Sequence, residues 1–598
     1  MTENLLIAVA SIITLGIAAE LFAWRIGLPS ILMLLVFGFL AGPLIGFLDP
    51  DVMLGDLLFP IVSISVAVIL FEGGASLRIG ELRQIGGVVR NLVTIGVALT
   101  WVLAATAAYL FLGLDPAAAA LLGAILVVTG PTVIVPLLRQ MRPVPQVAST
   151  LKWEGILIDP IGAVLAVLVF EAVVAGGLER ATAAVLLGLL KTLLIGGLAA
   201  ALGVGILVFL MDRQWVPDFL QSPLALMVVV TAFAASNAMQ SESGLLTATL
   251  MGVALANQKA VEVRHILEFK ENLRVLLISS LFILLAARLE LSDLARIGLP
   301  ELAFLAALVL IIRPLSVAVS TLGSELEWRE RIMVAFVAPR GIVAAAVSSM
   351  FALELAHAGH AGTDQLVSLT FMVIIGTVAI YGLGSTPLAR LLGVSKPDPQ
   401  GILFVGAHPW ARRIAAEVQR EGFNVRLADT NYSNIADARM EGLPTYFGSS
   451  LTEAALDSID LDGIGRILAL TANDEVNSLT AVNFTEIFGR RNVYQIPPKK
   501  FTAGSKQVVS RHLRGRFLFG GAASYWGFTA RFDAGTEVKT TNLTDEFDFQ
   551  KFSERYPDAI PLFLIDANSK LKIFTVLEPP EPVPGTRIIA IASPSGDT

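Results

Sequence analysis

The run Lys152-Trp153-Glu154-Gly155-Ile156-Leu157-Ile158-Asp159-Pro160 sets two acids in a stretch with long apolar segments beyond it. Glu154 and Asp159 are five residues apart, within about 140° of each other around a helix of 3.6 residues per turn. Both can therefore face one cavity. Asp159 stands between Ile158 and Pro160. An ionisable group within hydrocarbon is expensive and usually functional. Burial penalises the charged form of a carboxylate, so such a group holds a proton or a cation, and not both at once.

Outward from this run, residues 4 to 392 form one apolar segment after another, many near the 20 residues that span a bilayer. Thirteen segments are expected: 4–22, 29–48, 57–73, 88–113, 116–139, 149–174, 182–211, 219–239, 243–258, 269–291, 298–323, 330–354 and 365–392. The N-terminus has no basic region before its apolar stretch, so it reads as the first membrane helix and not as a signal peptide. Loops after odd-numbered segments carry Arg25, Arg78, Arg83, Arg139, Arg142, Arg213, Lys259, Arg264, Lys270, Arg329 and Arg331. Loops after even-numbered segments carry mainly Asp49, Asp51, Asp115, Glu242 and Asp364, with Arg180, Arg288 and Arg296 as exceptions. Basic loops stay cytoplasmic. The expectation is an N-terminus outside, a multi-pass chain in the inner (plasma) membrane, and a cytoplasmic C-terminal part.

Composition excludes several chemistries. There is no cysteine, so disulfides, thiolate zinc sites and cysteine nucleophiles are absent. The five histidines, His265, His357, His360, His408 and His512, are scattered. His357 and His360 are three apart, but two ligands do not close a zinc shell. The charged fraction is 16% and the mean hydropathy +0.72. No basic run of the kind that binds nucleic acid occurs, and the net charge of −7 averages over two solvents.

Thirteen helices divide as six, one and six, the pattern of inverted repeats. Segments 5 and 12 are then partners, and each carries a helix breaker: Thr129-Gly130-Pro131 in one, Pro339-Arg340-Gly341 in the other. Broken helices at equivalent places in two halves point to an ion site. Arg340 cannot lose its proton, so it serves as a counter-charge and not as a carrier. Glu154 is its expected partner, which leaves Asp159 free to titrate. Arg313 is a second basic candidate, for Glu72 or Glu171, and for these three the competing reading is pairing that merely stabilises the bundle. Ser236, Asn237 and Asn257 either line a water path or join helices by hydrogen bonds.

Residues 1 to about 395 resemble the monovalent cation:proton antiporters of the NhaP and NHE type. The resemblance rests on Phe71-Glu72-Gly73-Gly74 with Leu77, on Thr129-Gly130-Pro131, on Glu154 to Pro160, on Gly244-Leu245-Leu246 through Ala256-Asn257, and on Arg340-Gly341. It implies an NhaA/NhaP-like antiporter fold, a homodimer, and exchange of Na⁺ or K⁺ for H⁺ with a role in pH homeostasis. It also implies Asp159 as the carboxylate that binds metal ion and proton, Thr129 as a coordinating residue beside Gly130, and Glu154 with Arg340 as a structural ion pair. Three departures stand out: Gly130 where the family often has Asp, Gly155 where it often has Ser, and Ile158 where it has Asn. A site with fewer oxygens offsets less of an ion's dehydration, which leans toward K⁺.

From Val394 the texture becomes soluble. Residues 395–400 read as a linker, 400–500 as a Rossmann-like domain and 501–598 as a small α+β subdomain with strands at Pro561–Ile565, Leu571–Val576 and Arg587–Ile591. The membrane domain is thus 1–394. The order strand Ile402–Val405, helix Ala411–Glu421 and strand Asn424–Ala428 ending at Asp429 is a dinucleotide-fold start. It resembles the RCK domains (TrkA-N type), which implies a regulatory nucleotide, though no obligatory cofactor. The candidate contacts are Gly406, His408 and Asp429, but only the first of three signature glycines survives in Gly406-Ala407-His408-Pro409-Trp410-Ala411. A purely structural dimerisation domain is the other reading. Two further functions compete with exchange. A cation uniporter or channel under the same regulator lacks a Thr-Val-Gly-Tyr-Gly filter here. A membrane-tethered oxidoreductase lacks any nearby catalytic constellation.

Overall fold

The computed structural model describes residues 2–593 except 175–177, 262, 290–297, 358–362, 396–398, 453–458, 462, 499–509, 511–512 and 521–522. Two units emerge, Met1–Ser395 and Lys396–Thr598. Among the described residues, eight helices of the first unit are long and apolar enough to cross a bilayer: Leu6–Ile26, Pro50–Ala75, Ile79–Leu112, Pro145–Val173, Leu190–Asp212, Asp218–Met239, Leu299–Ser320 and Gln365–Leu391. Five shorter apolar helices, Ser30–Leu44, Pro116–Ile125, Ser243–Asn257, Leu273–Ala287 and Ile342–Ala352, fall on the remaining expected segments. All thirteen segments therefore hold helix, and the chain is a multi-pass membrane protein. The seventh span turns Leu190, Leu194, Leu198 and Leu202 outward, a spacing of four that makes one apolar stripe suited to lipid or another helix.

The spans sort into two bundles. Spans 1–3 pack mainly with spans 7–10, and spans 4–6 pack mainly with spans 11–13. A six-span repeat is consistent with this division, since 1–3 then correspond to 8–10 and 4–6 to 11–13. In the first bundle, spans 3 and 9 cross with backbones in contact. A Cβ at Gly252 would lie 2.1 Å from Phe71 O, and one at Gly74 would lie 2.3 Å from Thr249 O. Small residues permit such an approach where lipid removes the hydrophobic drive.

Spans 5 and 12 are each interrupted. The fifth comprises Pro116–Ile125 and Pro131–Met141, and the twelfth comprises Trp328–Ala335 and Ile342–His357. Proline supplies no N–H and is tolerated at the first helical position, so Pro131 starts the second half-helix.

The second unit opens with a parallel sheet of six strands: β1 (Gly401–Val405), β2 (Val425–Asp429), β3 (Thr445–Phe447), β4 (Ile464–Ala469), β5 (Val493–Gln495) and β6 (Arg516–Phe517). Their spatial order is β3-β2-β1-β4-β5-β6, the doubly wound arrangement. Strand β1 is buried along its whole length, as a strand covered on both faces must be. A second, antiparallel sheet holds β7 (Glu537–Asn542), β8 (Ile560–Ile565), β9 (Leu571–Ile573) and β10 (Arg587–Ala592) in the order β7-β10-β8-β9. The first sheet runs past the expected boundary at 500, since β6 pairs with β5. One apolar core also joins Phe404, Trp410 and Ile414 to Phe528, Phe563 and Ile589. The two sheets are thus parts of one unit, with Thr540 Oγ1 donating to Glu417 Oε1 at 2.7 Å and Arg587 paired with Glu421.

Candidate functional site: the crossing of two broken helices

The two interruptions meet. Gly130 N donates to Pro339 O at 3.1 Å. A Cβ built on Gly130 would lie 2.4 Å from Gly341 Cα, and one on Gly341 would lie 2.4 Å from Gly130 Cα. Neither position can carry a side chain without moving backbone. The half-helices Pro131–Met141 and Ile342–His357 both begin at this crossing, so two partially positive N-terminal ends converge on it.

The sixth span, Pro145–Val174, runs alongside. Gly155 packs on Ile134 and Gly162 packs on Val128, with virtual Cβ distances of 2.6 and 2.4 Å to those side chains. Asp159 lies four residues after Gly155 and three before Gly162, on the same helix face. That face is held against the fifth span at Val128 and Ile134, which bracket the break. Asp159 is 1% exposed and its Oδ1 has no hydrogen-bond partner among the described residues. Thr129 Oγ1 and Thr132 Oγ1, both buried at the break, likewise have none. Buried polar atoms are nearly always paired, so three orphaned oxygens around one crossing demand an explanation.

The charges divide differently from the expected scheme. Glu154 is paired with Arg313 of the eleventh span, not with Arg340. The pair is two-pronged, with Arg313 Nη2 donating to Glu154 Oε2 at 2.8 Å and Nη1 to Oε1. Arg313 Nη2 also donates to Val334 O at 3.1 Å. Arg340 instead donates through Nη1 to Val127 O at 3.0 Å and Val128 O at 3.3 Å. The reason is local. Breaking the fifth span leaves carbonyls at the end of its first half without helical donors, and Arg340 lies in the opposing break, within reach of them. Its own amide donates to Thr377 Oγ1 at 3.1 Å. Arg313 is therefore not the partner of Glu72 or Glu171. Glu72 is held by Arg274 of the tenth span at 3.3 Å.

The polar residues of spans 8 and 9 join helices. Ser236, Ser243 and Thr247 form a hydroxyl chain at 2.7 and 2.9 Å, and Asn237 accepts from Gly244 N at 3.3 Å. Asn257 donates to Leu77 O and accepts from Ile79 N, both at 2.8 Å. His357 lies at the end of the second half of span 12; His360 falls outside the described residues. Along the half-helix Pro131–Met141, a cavity of about 430 Å³ opens between the bundles, lined by Glu20, Val135, Arg139, Gln140 and Arg274 among others.

In the second unit the residues expected to hold a nucleotide serve the chain itself. Gly406 has φ +110°. His408 Nε2 contacts Leu470 O at 2.8 Å, so this nitrogen carries the hydrogen. The ring thereby bridges the ends of β1 and β4, where the strand order reverses and ligands of this fold sit. It packs tilted against Trp410 with centroids 4.1 Å apart and meets Tyr525 edge-on at 4.9 Å. Burial lowers the His408 pKa to about 4, so it offers phosphate no positive charge near neutrality. The Asp429 carboxylate accepts from Ala407 N at 2.7 Å and from Asn431 N and Asn434 Nδ2 at 2.8 Å. These residues do not fit a dinucleotide in the usual pose.

A membrane bundle with two crossed, broken helices and a buried acid beside them is the architecture of a secondary transporter. The chain belongs to the sodium/hydrogen exchanger family, whose transmembrane region matches residues 7–391, and a TrkA-N domain matches residues 402–496. It is 31% identical over 409 residues to the K(+)/H(+) antiporter NhaP of Alkalimonas amylolytica, covering 67% of this chain and 68% of that one. It is 29% identical over 377 residues to the K(+)/H(+) antiporter NhaP2 of Shewanella oneidensis, covering 62% and 64%. Its fold matches the sodium proton antiporter MjNhaP1 of Methanocaldococcus jannaschii with a TM-score of 0.56 at 23% identity, over 65% of this chain and 100% of that one.

Proposed function

We propose that this chain exchanges a monovalent cation for protons, with Asp159 as the shared binding group. The observation that carries this reading is the asymmetry between the two acids of the sixth span. Glu154 is neutralised by a buried two-pronged arginine, while Asp159 has, among the described residues, no ion pair and an orphaned oxygen at the break. An uncompensated buried charge is costly by several kcal/mol, so Asp159 moves between aqueous sides only with a proton or a cation bound. Thr129 and the backbone beside Gly130 complete the cation's surroundings. Rocking of one bundle against the other exposes the site to each side in turn. One carboxylate then trades one proton for one cation, and exchange is electroneutral.

The cation is K⁺ in preference to Na⁺. The side-chain oxygens missing at positions 130, 155 and 158 reduce the compensation for dehydration, and K⁺ needs less of it. The named K(+)/H(+) relatives support the same choice. The chain sits in the plasma membrane as a homodimer, N-terminus outside, with its C-terminal unit in the cytoplasm regulating exchange without a dinucleotide in the usual pose.

Proteoliposomes loaded with a pH-sensitive dye test this. Addition of K⁺ or Na⁺ is expected to alkalinise the lumen of vesicles preset acidic, and Asp159→Asn is expected to abolish the signal. Full exchange by Asp159→Asn would reject the carrier assignment. Cation flux without proton movement would favour the uniporter reading.

A further inference from the structure

We infer that the Thr132 hydroxyl is a ligand of the transported cation and helps set selectivity, resting on the assignment of Asp159 as the exchange site. Thr100 donates to Ser316 Oγ at 3.0 Å and Thr150 Oγ1 has no partner among the described residues, but several other buried threonines of the bundle hand their hydroxyl hydrogen to the carbonyl four residues back. Thr249 donates to Leu245 O at 2.8 Å, Thr321 to Val317 O at 2.8 Å, Thr370 to Leu366 O at 2.7 Å and Thr377 to Val373 O at 2.7 Å. Thr132 is the second residue of its half-helix, so the equivalent carbonyl belongs to Val128, across the break. That carbonyl accepts from Arg340 at 3.3 Å. The interruption deprives Thr132 of its ordinary partner, and its Oγ1 is buried with none.

Its position makes the orphaned oxygen useful. A Cβ built on Gly130 would lie 3.3 Å from Thr132 Oγ1, so the hydroxyl curls back over the break. Gly341 bars any side chain at 130, and an acid there is excluded by backbone contact. Thr132 supplies an oxygen in that neighbourhood from the next turn, without a second negative charge. Asp159 faces the same segment, between the contacts at Val128 and Ile134. A site of one carboxylate with neutral hydroxyls suits a monovalent ion of weak hydration.

The test uses the full chain in proteoliposomes with Thr132→Val, which keeps the shape, Thr132→Ala, and Thr132→Ser, which keeps the oxygen. Loss of one buried oxygen ligand is expected to raise the KM for K⁺ about fivefold to tenfold in the Val and Ala variants. This rise should exceed any fall in maximal rate and should change the K⁺ to Na⁺ preference, while the Ser variant stays near the parent. A second readout guards against poor folding: K⁺-dependent thermal stabilisation in detergent should weaken in Val and Ala but not in Ser. Parent-like KM in the Val and Ala variants, or an equal loss in Ser, would overturn the assignment. Persistence of exchange in Asp159→Asn would instead undo the reading on which it rests, and the two failures are separable.

Discussion

Single residues decide how charge is carried through this bundle. The two-pronged bond between Glu154 and Arg313 has each side chain at most 5% exposed. Removing one partner of such a pair leaves the other buried and uncompensated, at about 3–5 kcal/mol. Glu154→Gln is therefore expected to lower the melting temperature in detergent by more than Asp159→Asn does, since Asp159 has no partner to strand. Equal melting points for the two would argue against the division of roles. The pairing itself was only half legible in the sequence. Residue type and apolar context marked Glu154, Asp159 and Arg340, but choosing between Arg340 and Arg313 requires knowing where the broken span leaves its carbonyls. Thr132 could have been marked by its place one residue after Pro131, where no carbonyl four residues back continues the same helix. His408 shows the opposite case. Its substitution for a glycine was plain, whereas its bond to Leu470 O depended on the packing of β4.

At the level of elements, the interruptions in spans 5 and 12 were visible as the Thr-Gly-Pro and Pro-Arg-Gly triplets, and the second half-helices begin at Pro131 and at Ile342, at or just after those triplets. Their direct contact was not visible, because it comes from the crossing geometry. Gly130→Ala would force backbone apart against Gly341 and is expected to cost about 1–3 kcal/mol by overpacking, read as a lower melting temperature with slowed exchange. In the second unit, β7 escaped the reading because Glu537–Asn542 is polar and little of it is buried, so it lacks the alternation that marks a half-buried strand. The crevice between β1 and β4 carries a pH signature. His408 is held neutral in the folded unit with its pKa near 4, against about 6.5 in an unfolded chain. The unfolded state binds the extra proton, so this contribution is full above pH 6.5 and is lost as pH falls toward 4. Thermal melts of the full chain from pH 7 to 4 should show a steeper decline for the parent than for His408→Gln. NADH, a dinucleotide, should leave the parent's melting point unmoved.

For the whole molecule, the count of thirteen and the paired breaks gave the six, one and six division, whereas the grouping of spans 1–3 with 7–10 against 4–6 with 11–13 is seen only in the structure. What the count did not reveal is where the bundles touch. Gly382 of the thirteenth span lies against Pro29 at the start of the second, with a virtual Cβ 3.7 Å from Pro29 Cβ, inside the range a disulfide spans. The parent has no cysteine, so a Pro29→Cys, Gly382→Cys double variant has no competing thiol. Oxidation is expected to stop exchange by tying the bundles together, and a reductant should restore it. Unimpaired exchange by the fully cross-linked protein would show that these two surfaces do not separate during the cycle. One-for-one exchange adds a further expectation: imposing a membrane potential of either sign should leave the initial rate unchanged.

The backbone contact between Gly130 and Gly341 also bears on how this protein can change over generations. A bulkier residue at either place is blocked by the other, so neither can vary alone. A lineage that acquires an acid at 130 must first, or simultaneously, reposition the chain around 341. Mutant libraries that scan one of these codons at a time would record both as immutable, when the true unit of variation is the pair.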